Sequence, residues 1–157
     1  MAIRLSSSSF ERIRAHGSCD YPNESCGILF GRTEGDVKYV LEAVPLKNLR
    51  TEPEKAQEIL PLEAPGRESE RNRFLIDPRE QLRAEKDARA RGLDVVGYYH
   101  SHPDHPARPS NYDREHAWPW YSYVIVSVVE GEAKDLTSWV LAEDRSRFDS
   151  EPIEAGA

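Results

Sequence analysis

His100 and His102 are separated by a single residue, and Ser110-Asn-Tyr-Asp113 follows after the loop Pro103–Pro109. In an extended chain residues i and i+2 point to the same side, so two imidazoles leaving one strand can face one metal ion. Imidazole is a preferred zinc ligand, and a catalytic zinc keeps three protein ligands and one open position. Asp113 is the third candidate. Pro103, Pro106 and Pro109 stiffen the loop that would bring it back to the histidines. The spacing therefore predicts a zinc centre, one ion per chain. Ser110 to Asp113 is equally a plain helix start, with serine as N-cap and aspartate at the third helical position. The two readings are compatible, since a capped helix can hold Asp113 where a ligand is needed.

Such a centre also needs a base to take a proton from water. Glu24 stands directly before an apolar run, where a sheet could fix it. On spacing alone it is one of 28 acids and cannot be selected. His105 lies inside the loop, but a fourth protein ligand would displace the water, so it is expected to face solvent. His116, one turn beyond Asp113, is expected on the helix surface or behind the ligands. Trp118 and Trp120 could touch a substrate, although packing beside a core strand is the expectation. Cys19 and Cys26 are too few for a disulfide framework and lack CxxC spacing, so each reads as a small hydrophobe or a free thiol.

The elements that must position these groups can be read in turn. Ser6 to Ser9 offer N-caps for a first helix, with Phe10 and Ile13 one turn apart and Gly17 as its stop. Residues 25–31 read as a buried strand, and Glu34-Gly35-Asp36 turns it into a second, 37–44, making a hairpin. From 45 to 72 no period is sustained, and Pro53, Pro61, Pro65 and many charges mark a long surface loop. A short strand at 73–76 leads to Asp77-Pro78-Arg79-Glu80, an N-cap, a first-turn proline and a capping acid. That helix ends near Arg91, before Gly92. Residues 93–99 form a third strand leading into the histidines, 110–117 a helix, 121–129 a core strand and 137–142 the last strand. The tail 143–157 is polar and weakly specified. The prediction is one α+β domain over 1–157, a mixed β-sheet flanked by helices.

Composition narrows the function classes. With 38% hydrophobic and 31% charged residues in 157, the chain is a globular domain rather than a disordered one. A net charge of −7 argues against general nucleic-acid binding and suits a partner with a basic face. No apolar run approaches the length of a membrane span, and the first residues lack the apolar core of a secretory signal, so a cytoplasmic location is expected. The oligomeric state is left open, a homodimer included.

Asn23-Glu24-Ser-Cys-Gly-Ile-Leu-Phe-Gly31, then Gly97-Tyr-Tyr-His100-Ser-His102-Pro103 and Ser110-x-x-Asp113, together resemble the JAMM (MPN-plus) zinc metalloproteases in their small prokaryotic form. The resemblance runs from Phe10 to about Ala142, and the motif is complete, whereas inactive members of the family typically have lost one or more of its positions. It implies a cytidine-deaminase-like sheet, zinc held by His100, His102 and Asp113, and Glu24 as general base. Ser110 would donate a hydrogen bond to the oxyanion. It also implies hydrolysis of the peptide or isopeptide bond after the C-terminal diglycine of a ubiquitin-like or sulfur-carrier protein. The 45–72 segment would form a flap over that tail, a plain surface insertion being the alternative. A non-catalytic MPN scaffold and a hydrolase of small amides are the competing functions. Deamination is set aside, because the chain lacks the His-x-Glu and Pro-Cys-x-x-Cys of zinc deaminases.

Overall fold

The computed structural model describes residues 2–49 and 76–155. All but Ile76 of the expected strand at 73–76, and the greater part of the 45–72 segment, lie outside the described residues. Among the described residues eleven elements follow one another: β1 (Ala2–Leu5), α1 (Ser7–Asp20), β2 (Cys26–Glu34), β3 (Val37–Leu46), α2 (Pro78–Ala90), β4 (Asp94–Pro103), α3 (Asn111–His116), β5 (Ser122–Val129), β6 (Glu132–Leu141), β7 (Phe148–Glu151) and β8 (Ile153–Ala155). The order across the sheet is β7-β6-β5-β4-β2-β3-β1-β8. It is mixed: β4 lies parallel to β5, β1 parallel to β3 and β8, and the other pairs are antiparallel.

Local chemistry accounts for the helices. Ser6 caps α1, its hydroxyl accepting from the Ser9 N–H at 3.2 Å. α1 does not stop at Gly17 as expected. A Cβ there would lie 3.0 Å from Val128 and 3.3 Å from Val126, so the glycine lets the helix press against β5. Asp77 caps α2, accepting from Arg79 N at 2.9 Å, and Pro78 opens the helix.

Pro152 alone separates β7 from β8, yet the two occupy opposite edges of the sheet. The sheet therefore curls until its edges approach one another. One face packs Leu29, Val96, Tyr99, Val124, Val126 and Val128 around Ile13 of α1. The other packs Ile28, Phe30, Tyr98 and Tyr123 against Ala88 of α2. The tail was expected to be weakly specified. Instead it supplies Glu151, whose Oε1 accepts from Ser138 at 2.7 Å and from Ser122. Lys38 in turn donates to Ser122 Oγ at 3.0 Å and to the Trp120 carbonyl, so β3, β5, β6 and β7 share one buried polar cluster. Among the described residues no helix is long and apolar enough to cross a membrane.

Candidate metal centre

β4 runs further than the sequence suggested and carries both histidines within the sheet. His100 pairs with Cys26 of β2 and Ile125 of β5, and His102 with Ser127 of β5. They are 1% and 9% exposed, and their Nε2 atoms lie 3.1 Å apart. His102 Nδ1 lies 2.9 Å from the Pro106 carbonyl, which can only accept. A proton on Nδ1 satisfies that carbonyl, and loss of the Nε2 proton then gives the tautomer whose Nε2 lone pair can bind a metal.

The loop after β4 is held at several points. Asp104 adopts the left-handed region, with φ 57°, which aspartate tolerates better than most residues. Its N–H donates to Val128 O at 2.7 Å, and its carboxylate accepts from Glu130 N at 2.9 Å and from the Tyr21 hydroxyl at 2.5 Å. Thr137 donates to the Ala107 carbonyl at 2.6 Å, and Ser127 to that of His105 at 2.7 Å. This returns the chain to α3, where both halves of a capping box form. Asp113 N donates to Ser110 Oγ at 3.1 Å, and Ser110 N donates to Asp113 Oδ2 at 2.8 Å.

The same carboxylate closes a triangle with the imidazoles. Asp113 Oδ1 is 3.3 Å from His100 Nε2, and Oδ2 is 3.2 Å from His102 Nε2. A tetrahedral ion with ligands at 2.0–2.1 Å has donor–donor edges of about 3.3 Å, so these three residues fit zinc. Burial by itself opposes ionisation of Asp113. The two imidazoles outweigh it through charge and hydrogen bonds, and the carboxyl is held well below the usual carboxylate range. Glu24, 3% exposed, stands two residues before β2. It offers an oxygen within 4.8 Å of ring nitrogens of both histidines. All four acidic and imidazole groups singled out in the sequence thus converge, and Ser110 stands beside them as the cap.

His105 and His116 are exposed, the latter stacked on Tyr112 with ring centroids 4.0 Å apart. Trp118 and Trp120 were expected to pack beside a core strand, and Trp120 meets Tyr121 edge-on just before β5. The two tryptophans are 65% and 47% exposed, under Arg145 and Lys38 respectively. Cys26 is buried, which pushes its thiol pKa up, and Cys19 is exposed; both are free. Sequence reasoning missed two residues next to Glu24. Asn48 donates to the Glu24 carbonyl at 2.9 Å, and Ser101 accepts from Ser25 N at 2.8 Å. Ser101 lay in plain view between the histidines. Nothing in the local pattern distinguished Asn48 from its loop.

Comparison with known proteins gives the family. The family described as prokaryotic homologs of the JAB domain matches residues 6–142. A desampylase of Haloferax volcanii is 34% identical over 128 residues, covering 81% of this chain and 78% of that protein. A probable TtuB-protein conjugate cleaving protease of Thermus thermophilus is 33% identical, over 73% of this chain and 63% of that protein. A solution structure from Desulfitobacterium hafniense superposes with TM-score 0.76 at 35% identity, covering 98% of this chain and 92% of that one. With the family model spanning most of its length and the histidines, Asp113 and Glu24 drawn together, the chain belongs to the prokaryotic homologs of the JAB domain, the JAMM-type metallo-isopeptidases.

Proposed function

We propose that this protein is a cytoplasmic zinc isopeptidase that cleaves the bond after the C-terminal diglycine of a ubiquitin-like or sulfur-carrier protein. The observation that carries the reading is the His100–His102–Asp113 triangle, with edges of 3.1, 3.3 and 3.2 Å, and Glu24 beside it. The names of the relatives, a desampylase and a conjugate cleaving protease, support a protein conjugate as substrate.

His100, His102 and Asp113 would hold the ion, and Asp113 is itself held by the α3 cap. Bound there, zinc would act as a Lewis acid toward the scissile carbonyl and would make water more acidic. Glu24 takes a proton from the attacking water and passes it to the leaving nitrogen as the carbon–nitrogen bond breaks. The products are the glycine carboxylate and a free amine. Ser110 Oγ already accepts from Asp113 N, so its own hydrogen is available to the oxyanion.

Metal analysis tests the ligands: about one zinc per chain in the wild type, lost in His100→Ala and Asp113→Ala. Glu24→Ala keeps the metal and abolishes cleavage of a ubiquitin-like protein carrying a peptide fused after its diglycine. Cleavage that survives in that variant removes Glu24 from its role. A zinc-free wild type would instead favour a binding scaffold, and equal turnover of unrelated short peptides a small-amide hydrolase.

A further inference from the structure

A single peptide unit carries Glu24 into β2, and side chains hold both of its polar groups. The Glu24 carbonyl accepts from Asn48 Nδ2 at 2.9 Å, and the Ser25 N–H donates to Ser101 Oγ at 2.8 Å. β2 begins only at Cys26, so neither group is a rung of the regular ladder. All four residues are buried, Glu24 at 3% exposure, Asn48 at 5%, and Ser25 and Ser101 at 0%. A buried backbone group needs a partner, and here two neighbouring segments supply one each. Asn48 stands just beyond β3, which flanks β2 on one side. Ser101 belongs to β4, which flanks it on the other. The main chain adds a further tie, Ser101 N to Ser25 O at 3.0 Å.

The tilt of this peptide plane sets the direction in which Glu24 leaves the backbone. Ser101 also lies between His100 and His102, so one residue links the placement of the acid to that of both imidazoles. We propose that Asn48 and Ser101 are positioning residues that clamp the Glu24–Ser25 peptide and so hold the Glu24 carboxylate in register with the two histidines. Neither touches substrate or metal. The inference rests on Glu24 being the general base.

Three variants remove the clamp by different routes. Asn48→Leu deletes the amide at similar volume, Asn48→Asp keeps the shape but replaces the donor with an acceptor, and Ser101→Ala deletes only a hydroxyl. Each is compared with wild type and Glu24→Gln for zinc per chain, kcat and KM, on a ubiquitin-like protein with a peptide fused after its diglycine. The clamp predicts about one zinc per chain and a KM within about twofold of wild type. It predicts a kcat lowered about 10- to 100-fold, the scale of a misplaced catalytic group. A zinc-loaded variant with wild-type kcat overturns it. So does a loss of kcat that tracks loss of zinc, which would make these residues supports of the ligands. Should one Asn48 variant fail to fold, the other and Ser101→Ala still decide. Turnover surviving in Glu24→Gln sinks the underlying base assignment. An inactive Glu24→Gln beside fully active Asn48 and Ser101 variants sinks the clamp alone.

Discussion

Behind the metal-facing side of β4, Tyr99 turns its ring toward α1 and meets His16 Nδ1 at 2.7 Å, while His16 Nε2 lies 3.0 Å from Asp20. Tyr99 is fully buried over Gly27, where a Cβ would fall 2.1 Å from its ring. Burial lowers the His16 pKa below its ordinary 6.5, with Asp20 pulling the other way. The folded state therefore binds this proton less readily than the unfolded chain, and stability falls as pH drops below that ordinary value. Thermal melts should show a steeper loss below pH 6.5 in wild type than in His16→Gln; parallel curves would refute the assignment. At this scale the sequence was informative where chemistry is local. Two histidines at i and i+2 and an aspartate in a capping position need no knowledge of the fold. Glu24 was invisible to spacing because antiparallel pairing of β2 with β4 brings it to the histidines. Only resemblance could select it, and for the same reason Asn48 was not noticed at all.

The connection from β4 to α3 shows how an element can serve a site without contributing a ligand. Asp104 secures it to the end of α1 through Tyr21 and to the β5–β6 turn through Glu130. Asp104→Ala removes both bonds and leaves a Cβ-bearing residue at φ 57° with no side chain to stabilise it. We expect a loss of about 1–3 kcal/mol in denaturant titrations and weaker zinc retention against a chelator, although Asp104 is not a ligand. Unchanged zinc retention would mean the loop does not need this anchor. The elements were legible wherever pattern and punctuation agreed. Asp77-Pro78 opens α2 as expected, and the β2–β3 hairpin forms around Gly35, at φ 60°. Gly17 misled because the same lack of a side chain that ends helices also permits close packing. β1, only four residues long, left no period to detect.

Across the molecule, closure of the sheet depends on a buried chain of polar groups, Lys38 to Ser122 to Glu151. Burial lowers the Lys38 pKa and Glu151 opposes that shift, so the two charges depend on each other. Glu151→Ala strands the ammonium in the interior and should cost about 3–5 kcal/mol of unfolding free energy. Adding Lys38→Met should recover part of that loss; a single variant as stable as wild type would show the cluster to be incidental. The polar tail hid this role, since its short strands carry one inward acid and otherwise read as solvent-facing. The pairing of β1 with β8 has a further consequence, for the order of events during synthesis. Arg4 bonds Glu154 at 2.9 Å across 150 positions of sequence. β1 thus waits for β8, far later in the chain, before it gains its second neighbour. Contacts of such separation slow folding, and until they form the β1 edge stays open to strands of other chains.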